Sequence, residues 1–200
     1  MPDAARDGVG ELFADGTRVA SRKIEKGSEA FAINIFGMEL SGVNPLGCLT
    51  MGVVLSVADF ASHTRLWHTE QEAGPDFTIE DIPQSVADGL DTVNARNSLI
   101  ICDFVPFGLD RLAPLLNAMT GFKHTESSLM ELGGRLTNLA RRYNLRNGRL
   151  HSDDILPERF FQEESLSGFM RGRKIDRDFF RSLIQQYYTL RGWSETGEPR

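Results

Sequence analysis

Apolar positions along the chain often recur at helical spacing, and β-branched residues rarely alternate with polar ones, which predicts helices and few strands. After Asp7, residues 8–22 carry a rough apolar stripe of Val9, Leu12, Phe13 and Val19. Residues 30–40 are apolar but broken by Gly37, so extended or irregular backbone is as consistent with them as a helix. Asn44-Pro45 reads as an N-cap followed by proline at the first helical position. The helix it opens runs through Met51, Val53, Val54, Val57, Phe60 and Ala61. It is apolar on all sides, the pattern of a buried helix.

Residues 72–76, with Gly74-Pro75, form the clearest linker. Thr78 caps the next helix, with Pro83 near its first turn and its end near Arg96. An apolar connection, 99–108, leads to a helix over 109–119 that Gly121 stops. Thr125 caps the best amphipathic helix, with Leu129, Leu132, Leu136, Leu139 and Tyr143 spaced at three or four. Residues 154–170 read as loop around Pro157. Asp176 caps a last helix that buries Phe180, Leu183, Ile184 and Tyr187 and ends before Gly192. The expectation is an all-α chain, with 1–70 as one packing unit and 71–200 as another.

Composition narrows the function classes. The 40% apolar and 25% charged residues match a folded globular chain, which excludes fibrous and disordered classes. A net charge of −6 opposes general binding to nucleic acid or to an anionic membrane, because both need a basic surface. The longest apolar run is broken by Asp59 and is too short to span a bilayer. The first residues have no apolar segment of the secretory kind. Cys48 and Cys102 alone cannot build a disulfide framework, so a reducing cytoplasm is the expected location.

Few residues invite chemistry. Cys102 lies in an apolar loop after a helix, where it reads either as a buried small hydrophobe or as a thiolate ligand for iron. A [4Fe–4S] cluster needs about four such ligands, and no CxxCxxxC run supplies the others. His63 ends the buried helix, where an imidazole is either a hydrogen-bonded core group or a proton carrier facing a cavity. His68, His124 and His151 stand in polar segments. No HExxH, GxSxG or P-loop pattern occurs. Asp153-Asp154 reads as a capped turn rather than a cation site. Arg135, Arg141, Arg142, Arg146 and Arg149 read most simply as a solvated helix face with its salt-bridge partners, the alternative being a dock for an anionic cofactor or an acidic partner such as ferredoxin.

Several segments, in order, resemble the C-terminal part of the tungsten-dependent aldehyde ferredoxin oxidoreductase family. They are residues 7–16 (DGVGELFADG), GMEL at 37–40 with Asn44-Pro45, GGRL at 133–136, YNLRNG at 143–148 and DDILPER at 153–159. The ending YYTLRGW at 187–193, followed by Gly197 and Pro199, is the most specific piece. The resemblance implies the end of a second helical domain and a whole third one. The N-terminal β domain, most of a tungsten or molybdenum bis-pterin site and a CxxCxxxC set would lie elsewhere, in missing N-terminal domains or a separate subunit. It places Cys102 as the distant fourth ligand of a [4Fe–4S] cluster, at the end of a DxxGLC-type motif that also touches pterin. Here the motif reads Asn97-Ser98-Leu99-Ile100-Ile101-Cys102, with Asn97 for Asp and Ile100 for Gly. Asn97, Ile101 and Cys102 are thereby the implied cofactor-binding residues. His63 falls on the family's active-site histidine, although Ala58-Asp59-Phe60 departs from the usual DRG before it. The implied activity is oxidation of a small aldehyde or related carbonyl, with ferredoxin as electron acceptor and no nucleic-acid or membrane partner. The alternatives are a non-catalytic truncated relic or helical interaction module, and a related reductase acting on a thioester-linked ring or acid.

Overall fold

The computed structural model describes residues 7–40, 42, 44–59, 72, 74–102, 105–166 and 171–200. Helices dominate. In chain order they are α1 (Val9–Phe13), α2 (Thr17–Ile24), α3 (Leu49–Val57), α4 (Ile82–Ser98), α5 (Leu109–Thr120), α6 (Glu126–Arg146), α7 (Arg159–Gln162) and α8 (Arg177–Leu190). The stripe read over 8–22 is split at Gly16, whose φ of +85° suits glycine and breaks the helix into α1 and α2. The Gly37-interrupted segment becomes a short antiparallel hairpin of β1 (Asn34–Ile35) and β2 (Met38–Glu39).

α3 is the buried helix. Thr50 to Val57 are all inaccessible, as a helix apolar on every side requires. It starts later than Asn44-Pro45 suggests. The Asn44 side chain accepts the Leu46 amide at 3.0 Å, which closes a local turn instead of a cap. The first helical amides, Leu49 and Thr50, instead donate to the carboxylate of Glu72 at 2.9 and 2.8 Å. An acidic group more than twenty residues away thus satisfies the positive end of α3.

α4 is the central strut, packed against α3, α6 and α8. A capping box of Thr78 and Asp81 starts the single turn that leads into it. Val53, Val54, Ile82, Val86, Leu90, Phe180, Leu183 and Tyr187 share one core, contributed by α3, α4 and α8. A smaller core of Ala95, Leu109, Leu112, Ala113 and Leu129 joins the C-terminal end of α4 to α5 and α6.

The buried face of α6 follows its leucine stripe only at the start, where Leu129 is buried and Leu132 packs on the smaller core. Leu129, Gly133, Thr137 and Arg141, four apart, face inward. Leu139 and Tyr143 are 63% and 66% exposed. Gly133 explains the rotation, because a Cβ there would lie 2.0 Å from the carbonyl oxygen of Asp91. α4 and α6 meet backbone to backbone, which only the small-residue face permits. No helix among the described residues is long and apolar enough to cross a membrane.

Candidate functional site

The loop that carries Cys102 begins with the way α4 ends. The Ile101 amide bonds to the Arg96 carbonyl at 3.3 Å and the Ile100 amide to the Asn97 carbonyl at 3.0 Å. These are the two bonds of a Schellman motif, whose C′ residue must be left-handed. Ile100 holds that position, with φ of +58°. A β-branched residue there strains the backbone by about 1–2 kcal/mol relative to glycine. The strained conformation nevertheless persists at the position where the DxxGLC-type motif has glycine. Leu99 and Ile101 hold it by packing onto the smaller core, while Ile100 is 94% exposed.

Past the motif the chain returns toward α5 under the side chain of Arg96. Its guanidinium donates to the carbonyls of Cys102 (2.9 Å), Val105 (2.7 Å) and Phe107 (3.0 Å). Cys102 is exposed. The apolar sequence around it suggests burial, but its neighbours leucine and isoleucine turn inward and leave the thiol outside. Asn97 is also exposed, and the Ile101 amide is already taken by Arg96, so a cofactor contact from Ile101 would use its carbonyl. A groove of about 740 Å³ runs along the polar face of α4 past Asp88 and Thr92 and ends at Arg96. His63 lies outside the described residues.

Cys48 is the buried cysteine. Its thiol donates to Glu72 at 3.1 Å, and burial, helped by that carboxylate, pushes it up to about 12. A thiol held protonated is a structural group, not a metal ligand. Among the described residues no group of three His, Cys, Asp or Glu side chains could hold a metal ion. One outward-facing thiol suits a single ligand to a cluster whose other thiolates come from elsewhere. It does not suit a complete site.

The second constellation is internal and was missed in the sequence. Arg141 and Arg149 are buried, not solvated. Both bind Asp154. Arg141 does so through two contacts, at 3.0 and 2.5 Å, and Arg149 at 3.0 Å through Nε. The Tyr188 hydroxyl also donates to Asp154, and burial raises the tyrosine's pKa. Burial opposes the Arg141 charge, yet the hydrogen bond and charge of Asp154 outweigh it and hold the guanidinium above its usual range. Arg149 reaches the end of α3, donating to the carbonyls of Ser56 (2.6 Å) and Ala58 (2.7 Å) and to the carboxylate of Asp59 (3.2 Å). Asn144 donates to the same carboxylate at 3.1 Å. Burial raises the Asp59 pKa in spite of Arg149. The acidic pair therefore divides its work. Asp153 caps a short turn through the Leu150 amide, and Asp154 is the internal counter-ion. No spacing rule separates a buried arginine on a helix from a solvated one, so only the Asp-Asp run and the small-residue face of α6 hint at this cluster.

The terminal segment closes over the cluster. Gly197 accepts Arg141 Nε at 2.9 Å through its carbonyl, and a Cβ there would meet the guanidinium at 2.6 Å and Tyr188 at 2.7 Å. The Gly-x-Pro ending is thus a close approach of backbone to a buried ion pair.

Comparison with known proteins identifies the relatives of this chain. The family model described as aldehyde ferredoxin oxidoreductase, domains 2 and 3, matches residues 3–200. A tungsten-containing aldehyde ferredoxin oxidoreductase of Pyrococcus furiosus is 28% identical across 98% of this chain and 33% of its own length. The aliphatic sulfonate oxidoreductase WOR-like subunit of the same organism is 26% identical across 98% of this chain and 31% of its own. A chain of the active-site complex BamBC of benzoyl coenzyme A reductase has the same fold, with a TM-score of 0.70 at 19% identity, over 97% of this chain and 35% of that one. The chain spans about a third of the length of the curated relatives it matches from end to end. It belongs to the aldehyde ferredoxin oxidoreductase family, as the part that corresponds to domains 2 and 3.

Proposed function

We propose that this chain is the C-terminal part or subunit of a tungsten or molybdenum pterin oxidoreductase acting on aldehydes or related carbonyls, with ferredoxin as electron acceptor. The observation that carries the reading is the Cys102 loop. Its thiol is exposed just past a glycine-type turn, and the motif resemblance would make it the family's distant cluster ligand. Residues up to about 70 would end the second domain, and the rest would form the third. The missing N-terminal domains or subunit would supply the other thiolates and most of the pterin contacts. When bound, the metallopterin supplies the two-electron redox chemistry and the [4Fe–4S] cluster carries electrons onward.

This chain's share is narrower. Cys102 would hold one iron, Asn97 and Ile101 would approach the pterin, and His63 would move a proton beside the substrate oxygen. The relatives' names (aldehyde, aliphatic sulfonate and benzoyl coenzyme A) span several substrate classes, and the aldehyde relatives support the carbonyl reading. The competing reading is a relic or helical interaction module. Asn97 in place of Asp and strained Ile100 in place of Gly favour it.

Co-production of this chain with its upstream part separates the two. In that assembly Cys102→Ala should remove or convert the cluster and leave metallopterin content unchanged. His63→Asn should keep both cofactors and lower turnover by roughly 10²–10⁴-fold, the usual contribution of a positioned proton carrier. An assembly that forms no cluster and shows no turnover would establish the relic, whereas one whose cluster and turnover ignore both substitutions would overturn the roles given to Cys102 and His63.

A further inference from the structure

We infer that Arg96 is the positioning residue of the Cys102 loop and that its charge sets how readily a cluster held there accepts an electron. The second half of this statement rests on the ligand reading above. Arg96 stands in the last turn of α4 and works at both ends. Its backbone carbonyl accepts the Leu99 and Ile101 amides that close the helix. Its guanidinium gathers the carbonyls of Cys102, Val105 and Phe107. Two of these carbonyls also accept backbone amides, Val105 to Cys102 at 3.0 Å and Phe107 to Val105 at 2.8 Å. One planar, permanently charged fork therefore joins three carbonyls along the return from α4 to α5. That geometry suits arginine and not the point charge of lysine.

The consequence for Cys102 follows from its exposure. The Cys102 side chain is exposed, so the backbone that carries it orients the thiol, and Arg96 holds that backbone at the Cys102 carbonyl. The same contact places a positive charge within one residue of the sulfur. Charge and hydrogen bonding near a cluster ligand shift its potential, and a cation favours the more negative, reduced state.

The test uses Arg96→Met and Arg96→Lys, in this chain and in the assembly with the upstream part. Circular dichroism checks that each variant folds. In this chain, amide exchange at Val105 and Phe107 should accelerate roughly tenfold in Arg96→Met, as expected from losing charge-assisted hydrogen bonds, and less in Arg96→Lys. In the assembly, the ratio of reduced to oxidised cluster at a fixed potential should fall roughly threefold to tenfold in Arg96→Met, the range for a partly screened unit charge this near. Arg96→Lys should leave that ratio close to its original value. Unchanged exchange in Arg96→Met would overturn the clamp. Faster exchange with an unchanged ratio would overturn the tuning role. Should Cys102→Ala keep a full cluster, the ligand reading fails by itself, and the exchange result still decides the clamp.

Discussion

Ile100 carries the clearest local conflict in the chain. Its φ of +58° and near-complete exposure combine backbone strain with no compensating burial of its own side chain. Ile100→Gly removes the strain and keeps the two Schellman bonds, at the cost of a more flexible unfolded chain. The net gain should be about 0.5–1 kcal/mol, read as a rise of one to a few degrees in the thermal midpoint. A lower midpoint would mean that the isoleucine makes a stabilising contact. Cys48 and Tyr187 supply a pH signature. Burial pushes both thiol and phenol up to about 12, from ordinary values of 9.0 and 10.0. Between about pH 9 and 12 the unfolded chain has released these protons and the folded chain still holds them. Stability should therefore be intact below pH 9 and decline as pH rises through that window. Denaturant midpoints from pH 8 to 11 measure the decline, and Cys48→Ala should flatten its early part.

Among the elements, α6 shows how packing overrides pattern. Its leucines at 132, 136 and 139 make the strongest visible stripe, yet contact with α4 runs along Leu129, Gly133, Thr137 and Arg141. Thr137 adds polar specificity there, donating to the Asp91 carboxylate at 2.8 Å while Arg191, just past the end of α8, holds the same carboxylate. Gly133→Ala should force the two helices apart and cost about 3 kcal/mol or more, the upper range for overpacking. Equilibrium unfolding in urea checks this. Gly148→Ala is a useful contrast, because its Cβ meets nothing and only its φ of +95° resists the change.

For the whole molecule, the Arg141–Asp154–Arg149 cluster ties α6 and the end of α3, and Gly197 joins the terminal segment to it. Asp154→Asn removes the only shared counter-ion of two buried guanidinium groups among the described residues. It should cost about 3–5 kcal/mol, since Arg141 stays buried without a carboxylate partner and Arg149 keeps only Asp59. The exposed Arg159–Glu163 pair is the control, and Arg159→Ala should change stability by less than about 1 kcal/mol. Equal effects from the two substitutions would contradict this division. At the same scale, Leu115, Met119, Phe122, Leu139 and Tyr143 lie 51–84% exposed on α5, α6 and the turn between them.

Sequence pattern alone determined the helical class, the caps at Thr78, Thr125 and Asp176, and the stop at Gly121. Each of these rests on interactions within one or two turns. The family motifs also marked Cys102 and the glycine-type position before it. Tertiary structure decided which cysteine faces solvent, that Glu72 rather than Asn44 caps α3, and that Arg96, Arg141 and Arg149 act inside the fold. The physical reason is range. Capping and helical periodicity are short-range and leave a local trace, whereas a buried arginine is defined by carbonyls and carboxylates that approach it only after the chain has packed.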